Sequence, residues 1–529
     1  MATREILAIL TGVLAHLCIF IHGEWHLRGA KVVTVHLILF AGLYALETFR
    51  TEHGHPTILI SLYLSALFSS IFIYRLSFHR LRGFPGPRAA ALSKLWHVWK
   101  CRDSRGHHVL ESWHQRYGPF VRTGPNEITL FHPAAHEAMD GRLNRNTRSD
   151  WYDILYPRVS SIFTRDRAFH HKRRRMWSNA LSTTAIRQYA QRMLSKVHAL
   201  EALIATAADE SRPVLINEMM YWFAFDSMGE VAFSEDFGML RNQRWHTLIW
   251  TFRSALALLG PFSPAIWIPR LAFDFTPGLW RIRSWFEMLE FCDWCMRKRM
   301  ERKLEDKDIA SWFIEDHMNH HQEAWLSGDT ATLIVAGSDT TAPSLTHLFY
   351  FLARYPQHAE KIREEIASVD AQDHVALAKL PHLNGTINES MRLLPAILTQ
   401  SSRVTPPEGL TVEGTFIPGD VKVCAPRYSI GRLESAYAQP HDFIPERWYS
   451  RPHLIRDPRA FAPFGLGDTA CAGKNLALAQ IRLVTAALVG KYCIRFAPGT
   501  ESRRSVEKDL RDQLTARPGE CHLVFTRRA

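Results

Sequence analysis

One cysteine stands where a reactive or ligating thiol belongs. In "FAPFGLGDTACAGKNLALAQIRLV", Phe461 to Val484, Cys471 follows a glycine-rich loop and precedes an apolar helical pattern. Gly465 and Gly467 open backbone conformations closed to other residues, and Gly473 lets a bulky group approach after the cysteine. From Lys474 the residues Leu476, Ala477, Ile481, Val484 and Leu488 fall on or near one helical face, placing Cys471 at a helix N-terminus. Free amides and the helix dipole favour a thiolate there, as nucleophile or as metal ligand. Phe464 would shield one side of whatever binds. A lone cysteine is most often a small buried hydrophobe, so the neighbouring motifs decide its weight.

Acid–base residues accompany it. In "LIVAGSDTTAPSL" a long apolar helix is interrupted from Gly337 to Thr341. Alone this reads as a solvated turn or a cap, but its flanks are apolar. A buried Asp339 beside the hydroxyl of Thr340 can pass protons, and Pro343 cannot donate to the carbonyl of residue 339, which opens the helix locally. In "NESMRLLP", Glu389 and Arg392 share a helix face. "HDFIPERW" adds Arg447, completing a charge network that survives burial only when every member is satisfied.

These residues need a scaffold. With 529 residues, 47% hydrophobic and 22% charged, the chain can bury a large core and is not disordered. Eight scattered cysteines exclude a disulfide scaffold and favour a reducing compartment. A net charge of +12 suits an acidic partner or an anionic membrane surface. Long helical patterns from Arg187, Leu279 and Ala331 run without a linker-like break, and strand-like pieces ("ITLF", "LTVEGTFI", "CHLVF") are short. One body, mainly α with minor β (α+β), is expected.

Three apolar runs, from Ile6, Val32 and Thr57, precede that body. The third is uncharged and near the roughly 20 residues of a spanning helix, while the first two are slightly short and carry histidine. One cleaved signal peptide does not account for three runs. Arg75, Arg80, Arg82 and Arg88 follow, and positive residues favour the cytoplasmic side. Three spans then put the N-terminus in the lumen and the body in the cytosol. "FPGP", Phe84 to Pro87, cannot continue a helix and reads as a stiff elbow. The expected organisation is residues 1–83 as a membrane anchor with up to three transmembrane helices and residues 84–529 as the catalytic domain.

In this order, "AGSDTT", "ESMR", "PERW" and "FGLGDTACAG" resemble the cytochrome P450 superfamily, the haem-thiolate monooxygenases, from about residue 84 to the end. "CAGKNLAL" and "YGPFVRTGPNEI" resemble its fungal microsomal, secondary-metabolism members. The resemblance implies the cytochrome P450 fold and heme b, with Cys471 as axial thiolate and metal ligand in a loop shaped by Phe464, Gly465 and Gly473. It implies Asp339 and Thr340 as the catalytic proton-steering pair and Glu389, Arg392 and Arg447 as a structural triad. Arg403, His170 and Arg174 match positions that contact haem propionates. Thr469 departs from the pattern, standing where a propionate-binding arginine or histidine is usual.

The resemblance further implies an endoplasmic-reticulum membrane enzyme that receives NADPH electrons through cytochrome P450 reductase, docked on basic residues at the cysteine side. It implies O2-dependent oxidation of a lipophilic terpenoid, meroterpenoid or prenylated indole. By family position "LIVA", "PAILTQ" and "LTARP" face the pocket, with Ile397, Leu398 and Thr399 as contacts. A haem-thiolate isomerase or dehydratase working without reductase is the alternative, against which Asp339 and Thr340 stand; a haem sensor or membrane scaffold is a non-enzymatic one. "CDWC" (Cys292 to Cys295) has zinc spacing but no second pair, and "HHKRRR" reads as a solvated face, with no nucleic-acid partner expected. "ALLGPFSPAIWIPRLAF" is too proline-broken to span and reads as a loop dipping into the bilayer at the substrate entrance.

Overall fold

A computed structural model describes residues 2–50, 55–303, 306–399, 401–500 and 505–528; Gln400 of "PAILTQ" lies outside the described residues. Three N-terminal helices come first: α1 (Ala2–Leu14), α2 (Gly29–Arg50) and α3 (Pro56–Ile73). The first and third continue as π-helical turns to Phe20 and Phe78. With them, Thr3–Phe20, Gly29–Phe49 and Pro56–Phe78 are each long and apolar enough to cross a membrane. The shortness expected of the first two runs disappears because the helices extend past the apolar core of each run.

Their histidines are paired across helices. His16 Nδ1 lies 2.8 Å from Ser70 Oγ, and His36 Nε2 lies 2.9 Å from the Tyr63 hydroxyl, so polar atoms in an apolar medium keep partners. At Gly12 a side chain would collide with the Tyr63 carbonyl, which is how α1 approaches α3 so closely. Arg4 pairs with Glu47 at 3.1 Å, joining the start of α1 to the end of α2. The link between α1 and α2 touches the body instead: His26 Nε2 is 2.8 Å from Asp153 Oδ2, and Glu24 pairs with Arg165. The elbow after α3 is pinned as expected of it. Arg75 donates to the Leu92 carbonyl at 2.6 Å, Arg80 to Asp420 at 3.0 Å, and the Arg122 amide to Pro85 at 2.8 Å.

The body is mainly helical. Its principal helices are α4 (Arg167–Ala180), α5 (Thr183–Asp209), α6 (Ile216–Phe233), α7 (Trp267–Phe275), α8 (Trp280–Met300), α9 (Glu323–Ser338), α10 (Thr341–Arg354), α11 (Pro356–Ile366), α12 (Pro381–Leu393) and α13 (Lys474–Lys491). Asp166 and Ser182 cap α4 and α5 by accepting from Phe169 and Ala185 amides. Two smaller apolar core clusters lie around Ile128 with Val423 and around Leu110 with Trp113, and the largest spans Trp151 to Phe525. Beside it lies a five-stranded sheet of β1 (Phe120–Gly124), β2 (Glu127–Leu130), β3 (Thr147–Arg148), β4 (Ser402–Val404) and β5 (Lys422–Cys424), in the order β1-β2-β5-β4-β3. Only β2 and β5 run parallel, with Ile128 opposite Val423.

The proline-broken segment differs from its expectation. Leu258 to Pro261 and Ala265 to Ile266 are buried in the body, because its prolines start short helices rather than a loop. In α7 Trp267, Asp274 and Phe275 are exposed, and Leu271 packs on Gly29 at the start of α2.

The charge network forms as the spacing predicts. Glu389 accepts from Arg392 Nε and Nη2 (2.9 and 2.8 Å), Arg447 Nε (2.9 Å), the Trp448 indole (2.9 Å) and the Ile444 amide (2.9 Å). All three charged side chains have 0% exposure. Burial alone would raise the Glu389 carboxyl; the arginines and the amide outweigh it and hold it below its ordinary value. Glu389→Leu should therefore cost about 3–5 kcal/mol by leaving two buried guanidiniums without their carboxylate. Thermal unfolding measures this, and an unchanged melting temperature would refute it.

Candidate active site

The loop from Phe464 to Lys474 is closed by its own backbone. The Cys471 amide donates to the Phe464 carbonyl at 2.7 Å, and the turn Gly467–Thr469 lies between them. Gly465 and Gly467 have φ of +69° and +58°, the left-handed region only glycine enters freely. A side chain at Gly473 would meet only Cys471 Sγ, at 3.9 Å, so open space faces it. Cys471 is itself exposed. Yet burial pushes its thiol above the ordinary value, against the opposing pull of the Gly473 amide, Arg174, Arg427 and Lys474. The sulfur is thus crowded by the loop around it yet still reached by solvent. The helix N-terminus does not by itself yield the expected thiolate, so the free thiol is a poor nucleophile, and ionisation would come with a bound metal.

Cations surround this loop. On α4, His170 Nε2 lies 3.1 Å from the Asp468 carbonyl oxygen and Arg174 Nη1 donates to the Ala470 carbonyl at 2.5 Å. The helix phase separates them from Arg173, which turns away to Asp329 and Asp316. Arg148 is buried, donating to the Ser161 and Thr164 carbonyls at 2.9 Å each and lying 3.2 Å from His170 Nδ1. Arg403 donates to Asp140 Oδ1 (2.7 Å), the Tyr152 hydroxyl (2.6 Å) and Thr469 Oγ1 (3.1 Å). Thr469 in turn donates to Asp140 Oδ1 at 3.1 Å. Arg427 donates to the Ala462 carbonyl at 2.9 Å, and a side chain at Gly465 would come 4.0 Å from its Nη2. Asp140 is the buried carboxylate of this group. The balance is strongly cationic and suits a ligand bearing carboxylates.

The helix break is present where Asp339 and Thr340 separate α9 from α10. Thr340 and Thr341 hydroxyls donate to the Ala336 and Gly337 carbonyls at 2.7 and 3.1 Å. Val335, Ala336, Gly337 and Thr340 are half-buried in an otherwise buried stretch. Asp339 points elsewhere: its carboxylate accepts from Thr515 and is close to Tyr221, with Arg253 and Arg517 nearby. Burial pushes its carboxyl to about 6, although Thr515 and the arginines act downward. The two residues thus have separate partners rather than one shared bond.

Of the expected pocket contacts, Ile397 is half-buried and Leu398 is fully buried in the main core. The Thr399 hydroxyl donates to Asp512 in a polar cavity that also touches Lys94, His97 and Glu127. Cys292 and Cys295 are buried thiols, the second pushed to about 12. Asp140, Arg148, Arg427, Tyr221 and Thr515 were not singled out in the sequence; only Arg427, a charge set in "VCAPRYSI", leaves a signal there.

A raised Asp339 pKa means the folded state holds the proton more tightly. Its contribution is present below the unfolded value and lost as pH rises through about 6. Asp339→Asn should remove a stability loss of roughly 3 kcal/mol between about pH 4 and 6. Urea unfolding across that range measures it, and an unaltered slope would contradict the assignment.

The cytochrome P450 family model matches residues 85–524. Tryprostatin B 6-hydroxylase of Aspergillus fumigatus is 36% identical over 94% of this chain and 91% of its own length. Cytochrome P450 monooxygenase sthD of Phaeosphaeria nodorum is 37% identical over 88% of this chain and 98% of its own. Cytochrome P450 monooxygenase notG' of Aspergillus versicolor is 34% identical over 100% and 98%.

Proposed function

The chain belongs to the cytochrome P450 family, and on that premise we propose that this monooxygenase oxidises a lipophilic, prenylated-indole-type metabolite while anchored in the endoplasmic-reticulum membrane. Residues 1–83 are the anchor and 84–529 the cytosolic catalytic domain. The supporting observation is the accessible Cys471 thiol in a glycine-shaped loop flanked by the buried Arg148 and Arg403 and the half-buried Arg174 and Arg427. Members of the family carry a haem iron held by a cysteine thiolate. Bound haem supplies oxygen activation, so that substrate C–H, O2, NADPH and a proton give C–OH, water and NADP+.

Cys471 would be the residue that holds the heme b iron, with Phe464, Gly465 and Gly473 shaping the loop around it. His170, Arg174, Arg403 and Arg148 would be the partners for its carboxylates. Arg427 supplies the cation that Thr469 does not, since its guanidinium lies beside the loop at Gly465. The Thr340 hydroxyl sits in the helix opening, and the neighbouring Asp339, between Thr515 and Tyr221, would take up and release a proton as pH passes through about 6. A membrane-bound NADPH–cytochrome P450 reductase supplies electrons through the basic surface. Among lipophilic substrates, the relative named tryprostatin B 6-hydroxylase supports the indole class.

Co-expression with a reductase tests this. A thiolate-type carbon monoxide difference spectrum and NADPH-dependent hydroxylation of prenylated indoles are expected, both abolished in Cys471→Ala. Turnover that persists without reductase would instead identify an isomerase or dehydratase. The propionate assignment has its own readout in haem transfer to apomyoglobin. Arg427→Leu should release haem at least about tenfold faster, the loss of one charge-assisted bond. Thr469→Arg should be tolerated and should restore retention in the double variant. Unchanged release from Arg427→Leu would remove Arg427 from the set.

A further inference from the structure

Away from the cysteine cleft, two histidines and a glutamate from three separate elements converge. His358 lies in the first turn of α11, His382 in the first turn of α12, and Glu446 in the short turn Pro445–Trp448. Their ligand atoms all fall within 4.8 Å of one another. His358 Nδ1 is 3.2 Å from His382 Nε2, and 4.0 Å from Glu446 Oε1. A tetrahedral zinc ion with Zn–N bonds of about 2.0–2.1 Å holds its nitrogens roughly 3.3 Å apart. The imidazole pair already has that spacing.

The surroundings orient the rings as a metal site requires. His382 Nδ1 is 2.9 Å from the Tyr449 hydroxyl, which leaves Nε2 turned toward His358; ligating histidines are normally fixed through their other nitrogen in this way. Glu365 on α11 accepts from the His382 and Leu383 amides at 2.8 and 2.9 Å, locking the two helix starts together. Both imidazoles are buried, at 6% and 2% exposure, whereas Glu446 is half-buried and leaves an entry path. Lys361, itself half exposed, now pairs with Glu446 at 2.6 Å. It occupies one carboxylate oxygen from the solvent side.

We propose that His358, His382 and Glu446 bind a zinc-type divalent transition-metal ion, with water in the fourth position, as a structural clasp independent of the haem site. The nitrogen-rich donor set favours such an ion over magnesium or calcium. The clasp would tie α11 to the start of α12, which carries Glu389 and Arg392, and to the turn that carries Arg447. It would thus secure the buried charge network from outside.

The test uses the purified full-length holoenzyme. After dialysis against metal-free buffer and addition of zinc chloride, zinc and iron are quantified separately, and melting temperatures are compared in zinc and in EDTA. About one zinc per chain is expected to be retained, together with a melting temperature that rises with zinc and falls back with EDTA. His358→Leu and His382→Phe should lose both effects, and Glu446→Gln should weaken zinc binding at least about tenfold. Iron content and the carbon monoxide spectrum of the same sample report the haem, so failure of the haem assignment leaves the zinc readout intact. No zinc uptake, or equal melting in zinc and EDTA, would mean a plain hydrogen-bonded network and overturn the clasp. Should a histidine variant not fold, Glu446→Gln decides, because its position reaches solvent; full zinc affinity in that variant also overturns the proposal.

Discussion

Glu389 is sealed from water, and its survival as a charge depends on Arg392, Arg447, the Trp448 indole and the Ile444 amide arriving together. Desolvating each ion costs several kcal/mol, which mutual attraction and complete hydrogen bonding must offset. The network ties α12 to the irregular strap from Gly431 to Leu454. Arg392 fastens that strap by donating to the Gly431 and Pro440 carbonyls at 2.6 Å each. Trp448 then carries the order onward, with its ring 4.2 Å from that of Phe461 at the entry to the cysteine loop. The loop's shape is inherited from a charge network that contains none of its residues.

Buried charge serves a second purpose around Cys471. At Glu389 and at Arg173 every buried charge is in direct contact with an opposite one, and such groups hold the fold. Around the loop Arg403 pairs with the buried Asp140, Arg148 and Arg427 lie in its field, and Arg174 has no buried carboxylate among its described partners; neutral carbonyls satisfy much of their hydrogen bonding. An imbalance of this kind is stable only beside solvent or an anionic ligand. It is therefore the imbalance, more than any single contact, that marks the cleft.

The sequence carried the parts of this arrangement that are local. Glycine spacing around Cys471, the three-residue offset of Glu389 and Arg392, and the break at Asp339 and Thr340 all depend on backbone geometry over a few residues, and each appears where expected. His170 and Arg174 came from the family resemblance, and helix phase in the structure sets both toward the loop and Arg173 away from it. Pairings across long stretches were silent: Asp140 meets Arg403 and Thr469 across 263 and 329 residues, and Thr515 meets Asp339 across 176. The proline-rich segment was misplaced because proline at a helix start is compatible with a helix.

The body is fixed to its anchor at several separated places: the pinned elbow after α3, the salt-bridged link between α1 and α2, and Leu271 of α7 seated on Gly29. One flexible tether would let a cytosolic domain swivel and present any side to the bilayer. Several attachments restrict that rotation, so that, with the apolar helices inserted in a bilayer, one flank of the body would be held toward the lipid headgroups. Encounters with other membrane-bound proteins then become a search within a plane at constant height and orientation, and apolar compounds dissolved in the lipid meet the body first at that flank.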